Sequence, residues 1–342
     1  MNLIIMVTPT SLPETSHFPV MLEEIIKICS PKKGGIYVDC TFGGGGYSKE
    51  FLKYPETKVI ALDRDEFILE DCNKLKKKYP TRFTFHQKKF SEINSVIERE
   101  LADVVIFDLG LSSIQLMNLN RGFSFKSKGK LDMSMGLNSF SAEEVINNLS
   151  EKDIKLILKF FGNENEASKI AKNIVKHRKN QKITRVNELV EIIEISKRKN
   201  YKKKINPSTK TFQAIRMFVN KEISELIKGI TGATKILKPG GLIIVLSFHS
   251  IEDKIVKFFF NNFSSSKPKP TRYLPENNSN KILLFEKYKN RIIKPSLKEI
   301  IKNPPSRSAK LRYAIRNKNK FVFPKELENK FENYLNLEKT DV

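Results

Sequence analysis

No stretch of the 342-residue chain approaches ~18 uninterrupted apolar residues and no charged-then-apolar leader opens it, so neither a membrane span nor a cleavable signal is expected. The opening MNLIIMV is too short for either. Cysteine is scarce. Cys29, Cys40 and Cys72 are odd in number and lack CxxC spacing, which argues against a disulfide framework and a zinc ribbon. A reducing, cytoplasmic location is expected. Histidine is scarce as well: His17, His86 and His177 stand apart and unpaired with cysteine, so no metal site is expected. Acidic residues are the third shortage. Against 38 Asp and Glu stand 62 Lys and Arg, a formal net charge of +24 and a pI near 9.7. That is the footprint of a polyanion binder, although solubilising lysines in a Lys-, Asn- and Ile-rich sequence would leave the same mark. Clustering favours nucleic acid. Lys197, Arg198, Lys199, Lys202, Lys203 and Lys204 crowd around Tyr201, a ring suited to base stacking. Arg307, Lys310, Arg312, Arg316, Lys318 and Lys320 make a second basic run. Internal repeats and long low-complexity tracts are also absent.

What the chain does contain is a βαβα rhythm from residue 20 to 107, which implies a parallel sheet covered on both faces. A helix is expected over Val20 to Ile28, with strands at Ile36 to Cys40, Lys58 to Leu62, Arg82 to His86 and Asp103 to Phe107. Helices are expected at 47–54, 65–78 and 91–100. From Ser141 to Lys204 the pattern is purely helical, with a capping box at Ser141 and Glu144 and a further helix start at Ser150. Residues 138–205 thus read as an all-helical insertion between two parts, 1–137 and 206–342, of one α/β domain. Asn206-Pro207 opens a long helix towards Leu237, interrupted only by Gly229 and Gly232. The turn Lys238-Pro239-Gly240-Gly241 then leads into an apolar strand, Leu242 to Phe248. Ser264 to Asn280 reads as a loop, and Lys281 to Lys287 with Leu311 to Ile315 would complete a seven-stranded, mostly parallel sheet.

Strand one runs into Asp39-Cys40-Thr41-Phe42-Gly43-Gly44-Gly45-Gly46, a turn in which backbone rather than side chain must face a ligand. A nucleotide-type cofactor would lie there, outside the carboxyl ends of the strands. Strand two ends at Asp63, a carboxylate placed to accept hydrogen bonds from ribose hydroxyls. The same logic serves nicotinamide dinucleotides. Three details favour a sulfonium cofactor: Asp39 suits a cation better than a pyrophosphate, Ser48 stands where GxGxxG has its third glycine, and no second nucleotide motif follows. Asp108, at the tip of strand four, is placed to accept a hydrogen bond from an amine being methylated, or to serve as a turn cap. Phe90 is placed to pack on an adenine face, or to be ordinary core.

These residues, and others along nearly the whole chain, resemble the bacterial family of small-subunit ribosomal RNA cytosine-N4 methyltransferases, RsmH, formerly MraW. His17 to Leu22 resembles the family's HxPVLL, Asp39 to Ser48 its DxTxGxGGHS and Ala61 to Asp65 its AxDRD. Asp108 to Leu116 resembles DLGVSSPQL, Arg121 to Phe125 RGFSF, and Leu131-Asp132-Met133 part of PLDMRM. Pro207 to Arg216 resembles PATRTFQALR, Ser247 to Lys254 SFHSLEDR, and Pro305 to Arg312 NPRSRSAKLR. The resemblance implies a class I, Rossmann-like methyltransferase that uses S-adenosylmethionine to methylate N4 of a cytidine in the decoding region of 16S rRNA. Carried over residue by residue, its cofactor contacts fall on Gly45, Gly46, Tyr47, Asp63, Phe90, Asp108 and Gln115. Tyr47 replaces the family's histidine and Ile114 the proline before Gln115; Lys130 and Ser134 also depart from its pattern.

Cytosine's exocyclic amine is a poor nucleophile, because its lone pair is delocalised into the ring. An acceptor on N4–H would help it, and Asp108 or a backbone carbonyl within 109–113 is expected to play that part. His249, just beyond the fifth strand, is a second catalytic candidate, and Glu252 with Asp253 reads as a helix start. The helical insertion and its basic run are the expected rRNA grip. The expected partner is 16S rRNA, probed free or within the small subunit, and a homodimer stays open. A nicotinamide-dependent oxidoreductase and a noncatalytic RNA-binding factor are the rivals. A DNA amino-methyltransferase would carry a D/N/S-PP-Y motif where this chain has Asp108-Leu109-Gly110-Leu111.

Overall fold

The computed structural model describes residues 19–31, 34–197, 206–265, 282–286 and 288–342. Helix α1 (Leu22–Cys29) leads into β1 (Ile36–Asp39), α2 (Gly46–Phe51), β2 (Lys58–Asp63), α3 (Leu69–Lys78), β3 (Phe83–Gln87) and β4 (Ala102–Asp108). Beyond β4 come α4 (Ser113–Met117) and the helices α5 (Ala142–Asn148), α6 (Glu151–Gly162), α7 (Ala167–Arg178) and α8 (Val186–Ser196). The chain then returns through α9 (Thr209–Val219) and α10 (Glu222–Ile236) to β5 (Leu237–Ser247), α11 (Ser250–Asn262), α12 (Leu297–Lys302), β6 (Lys310–Ile315), α13 (Lys325–Lys330) and α14 (Glu332–Leu337).

The strands form one sheet in the order β3-β2-β1-β4-β5-β6, parallel except for β6, which pairs antiparallel with β5. After β3 the chain jumps back to the far side of β1. The crevice between the carboxyl ends of β1 and β4 is therefore the topological switch point, where such sheets bind ligands. Val104 to Phe107 are all buried, because helices cover both faces of β4. One face packs on α1 to α3 through Tyr37, Val59, Ile106 and Ile244. On the other, Val105 and Phe107 belong to an apolar core that continues through α9 and α10 into Ile157, Phe161, Ile170 and Leu189 of the helical segment. Among the described residues no helix is long and apolar enough to cross a membrane.

Three local expectations are corrected. The sheet has six strands among the described residues, not seven: Phe285 makes only isolated bridges, to Ser264 and Arg316. Side chains take the carbonyls that a ladder would use, since Arg316 donates to Leu284 O and Asn317 to Leu283 O and Phe285 O. The long helix from 206 to 237 is broken at Asn220 and Lys221, the latter at φ +50. Asn220 turns its side chain outward at the break, donating to Met133 O and accepting from Met135 N. The segment 91–100 holds a 3-10 turn, Phe90–Ser95, rather than a full helix. The basic run from Arg198 to Lys204, His17, and most of the stretch 264–281 lie outside the described residues.

Gly229 and Gly232 do not weaken α10 by accident. A Cβ on either would come within 2.6 Å of a heavy atom, Phe90 Cδ2 or Ile93 Cγ2, of the 3-10 turn packed against the helix. Alanine at either position is expected to destabilise the fold by about 1–3 kcal/mol through overpacking, against a helix-propensity gain of ~1 kcal/mol. Urea unfolding midpoints measure this, and a variant more stable than wild type would contradict the close approach.

Candidate functional site

A cavity of about 750 Å³ opens at the carboxyl ends of β1, β2, β4 and β5. Its floor is the glycine turn. Gly43 N–H donates to Asp63 Oδ2 at 2.8 Å, and Asp65 N–H donates to the other oxygen at 2.9 Å. The acid ending β2 thus ties the loop after β1 to the loop after β2. Burial raises the Asp63 carboxyl above the ordinary carboxylate range, with these donors opposing the rise. Gly45 sits at φ +71 as the cap of α2 and donates to Phe42 O at 2.7 Å; a Cβ there would meet the Phe42 ring at 2.6 Å. Gly43, Gly46 and Tyr47 line the cavity, while Gly45 supports the turn from beneath. Asp39 is wholly buried behind the loop and accepts from Ser48 Oγ at 2.7 Å. Ser48, where a dinucleotide fold has its third glycine, is therefore the strut that holds this acid.

At the tip of β4, Asp108 N–H donates to Thr41 Oγ1 at 2.8 Å, which fixes the acid beside the glycine turn. Its Oδ2 lies 3.3 Å from the Tyr47 hydroxyl, which also donates to Val20 O at 2.6 Å. Its Oδ1 is buried without a partner. Burial pushes this carboxyl up to about 7, helped by the negative Asp39 and Glu252 and opposed by the Tyr47 hydroxyl.

The wall facing Asp108 is a charged cluster. Arg216 holds Glu222 with two hydrogen bonds, Nε to Oε1 at 2.7 Å and Nη2 to Oε2 at 2.9 Å. Glu252 Oε2 accepts from the amides of Phe248 and His249 at 2.8 and 3.2 Å. His249 caps α11: its Nδ1 accepts from Glu252 N–H at 3.4 Å, which leaves the proton on Nε2. That nitrogen stands 3.0 Å from Glu252 Oε1 and 4.0 Å from Glu222 Oε2, close enough to pair electrostatically with Glu252 but forming no regular hydrogen bond with either. Burial would raise the Glu252 carboxyl, but His249, the Phe248 amide and Arg216 together hold it below its ordinary value. Donor atoms of Glu222, His249 and Glu252 fall within 4.8 Å of one another, and Arg216 supplies the cation of the group.

The structure brings Gly46, Tyr47, Asp63, Phe90, Asp108, Gln115 and His249 to this one cavity. Gln115 is engaged by the protein: it donates to Asp65 Oδ2 at 2.8 Å and accepts from Ser112 N–H at 3.0 Å, a capping box that needs no proline before it. Phe90 packs edge-on against Phe107 at 5.5 Å. Sequence reasoning missed Thr41, Arg216 and Glu222; Glu252 starts α11 as expected, and its carboxylate also reaches back to the strand end. An Arg and a Glu six residues apart across a helix break carry no periodic signal.

The MraW methylase family matches residues 14–317. The chain is similar to ribosomal RNA small subunit methyltransferase H of Ehrlichia canis, at 44% identity over 86% of this chain and 98% of that protein. It is 42% identical to the Rickettsia akari protein of the same name, over 87% of this chain and 98% of the other. Among solved structures, an rRNA methylase from Streptococcus thermophilus aligns over 85% of this chain and 92% of its own at 9% identity, with a TM-score of 0.38, too loose a likeness to bear on the site.

Asp108 makes a stability prediction. The folded chain holds the Asp108 proton up to about pH 7, while the unfolded chain releases it near the ordinary value of 3.8. Stability therefore falls as pH rises from about 4 to about 7. Asp108→Asn lacks this loss and is expected to exceed wild type by up to roughly 4 kcal/mol above pH 7, the gap closing below pH 4. Denaturant unfolding across pH reads it; a gap that does not change with pH would show that Asp108 is not the group titrating.

Proposed function

This chain belongs to the MraW methylase family, and we propose that, within that family's S-adenosylmethionine-dependent small-subunit rRNA methylation, it methylates N4 of a cytidine in the decoding region of 16S rRNA. The observation that carries this reading is Asp108: an acid at the switch point, beside the glycine turn, with one buried oxygen free of protein partners.

The residues fit the cofactor. A cradle of glycine backbone at Gly43 and Gly46, shaped by the cap at Gly45, with the Tyr47 backbone and the Asp63 carboxylate, would hold it, and Phe90 and Gln115 line the same cavity. Asp63 spends two of its roughly four lone-pair directions on backbone amides, so ribose hydroxyls can use the rest. Asp39, Asp108 and Glu252 make this end of a basic protein locally negative, which suits a sulfonium. When bound, the cofactor supplies an electrophilic methyl group. The protein's part is alignment and proton traffic. Asp108 Oδ1 accepts the N4–H hydrogen bond, draws the amine lone pair out of conjugation, and takes the proton as the N–CH3 bond forms and the S–CH3 bond breaks. Glu252 keeps Asp108 from releasing that proton too readily, and His249 lines the same cavity.

Residues 138–205 are read as the rRNA-recognition element. Lys152, Lys155, Lys159, Lys169, Lys172, Lys176, Lys179 and Lys182 are all exposed on α6, α7 and the turn that follows, as phosphate contacts require. A cytoplasmic enzyme acting on rRNA within the small subunit accords with this charge.

Labelled methyl transfer to 16S rRNA, free and in small subunits, with mass mapping of the product nucleotide, tests the reading. Asp108→Asn at saturating cofactor is expected to lose about 10²–10⁴-fold in turnover. Asp63→Ala is expected to weaken cofactor binding by about tenfold or more, measured by calorimetry. Normal turnover in Asp108→Asn removes the proton-acceptor role; methyl on a base other than cytosine removes the substrate.

A further inference from the structure

Three cavity-lining residues carry buried polar atoms with no hydrogen-bond partner: Asp108 Oδ1, Ser113 Oγ and His249 Nε2. Unpaired buried polar atoms are rare, because each costs about 1–3 kcal/mol, and three lining one cavity call for a common cause. They belong to two neighbouring loops. A Cβ built on Gly110, between Asp108 and Ser113, would lie 3.6 Å from the ring of Phe248, the residue before His249. Their chemistry is not interchangeable. An ionised Asp108 only accepts. His249 only donates at Nε2, because Nδ1 accepts from the Glu252 amide and so fixes the tautomer. Ser113 opens α4 and its hydroxyl can turn to either sense.

Resting on the functional reading above, we propose that these three atoms read the pairing edge of the target base: Asp108 Oδ1 accepts from cytosine N4–H, His249 Nε2–H donates to N3, and Ser113 Oγ–H donates to O2. Acceptor, donor, donor is the complement of cytosine's donor, acceptor, acceptor. Uracil presents O4 to Asp108 and N3–H to His249, two like-with-like clashes that leave buried groups unpaired. Guanine fails at the same two places. Adenine satisfies Asp108 and His249 but offers only C2–H to Ser113. The 4-substituent and N3 both change sense between the two pyrimidines, so the fixed acceptor faces the first and the fixed donor the second; O2 is common to both and suits the adaptable hydroxyl. His249 is thereby a specificity-determining residue, and the capping of α11 by its Nδ1 is what locks its selectivity. A site built this way rejects a wrong base chiefly through the partners left unpaired.

The test is methyl transfer at saturating cofactor into reconstituted small subunits that carry, at the modified position, either cytidine or 3-deazacytidine, which lacks the N3 acceptor. His249→Asn keeps an acceptor where Nδ1 caps the helix and removes the donor; His249→Gln restores a donor near Nε2. On cytidine, kcat/KM is expected to fall about 10–100-fold in His249→Asn and about tenfold in Ser113→Ala, with His249→Gln recovering most of its loss. The cofactor Kd, measured by calorimetry, stays within twofold in all three. On 3-deazacytidine the ratio of wild type to His249→Asn collapses to about one, while that of wild type to Ser113→Ala persists. If the His249→Asn ratio is the same on both substrates, or both variants match wild type on cytidine, the base-reading role is overturned. Wild type that transfers no methyl group to rRNA or subunits overturns the functional reading instead, and that result is separate because it needs no variant.

Discussion

The hydrogen bond from Gly43 N–H to Asp63 at 2.8 Å is the constraint on which the site depends. It joins the loop after β1 to the loop after β2 across the sheet, so the cavity floor cannot open without breaking a charge-assisted bond. Asp63 reaches further through Asp65, whose amide occupies its other oxygen. Asp65 in turn accepts from Arg121 at 2.6 Å and from Gln115 at 2.8 Å, both buried. Three loops, after β1, β2 and β4, are thus referred to one pair of acids. Because a buried carboxylate with several donors is costly to leave half-satisfied, the network holds all of its members or none.

The site sets acid against acid inside a chain of net charge +24. Burial and the nearby Asp63 raise Asp39 to about 6, and burial with the negative Asp39 raises Asp108 to about 7. The repulsion has a use. A cation bound in the cavity beside Asp108 would relieve it. Surface lysines do not cancel it, since they are screened over about 8–10 Å, whereas the buried acids are not. Long-range attraction for a polyanion and short-range attraction for a sulfonium can therefore coexist in one molecule.

Much of this was legible in the sequence wherever the signal was local. The strand tips at Asp39, Asp63 and Asp108 followed from short apolar runs ending in an acid, and α2 from the glycine turn. The capping box at Ser141 and the helix start at Ser150 obey a three-residue spacing. What escaped had no local period. Lys281 to Lys287 looks like a strand by composition, yet Phe285 is drawn into the ring cluster of Phe259 and Phe260 while Arg316 and Asn317 claim the carbonyls on either side. A pattern cannot tell a glycine that approaches a ligand from one that takes a left-handed cap, and Gly45 takes such a cap at φ +71. Gln115 was legible as belonging to the site, but not that its amide is spent on Asp65.

The break between α9 and α10 shows why helical periodicity alone could not foresee the wall opposite Asp108. Continuing the helix through Asn220 would keep Arg216 and Glu222 on a straight rod. Breaking it with Lys221 in the left-handed region folds Glu222 back so that both carboxylate oxygens meet the guanidinium. The cost of a non-glycine residue at φ +50 is offset by Asn220, which satisfies the backbone of Met133 and Met135 and, with Asn138, fixes Arg64 against Gly136 O and Asn220 O. Glu338 completes the arrangement from the far end of the chain, its two oxygens accepting from Ile223 N–H and Ser224 N–H at the start of α10. Helix α9 thereby belongs to two structures at once. Phe212 and Phe218 anchor it in the helical core with α6, and Arg216 carries the same helix into the cavity wall. A helical segment inserted after β4 can be joined rigidly to the chemistry only through an element that turns a corner, and the left-handed residue at 221 is that corner.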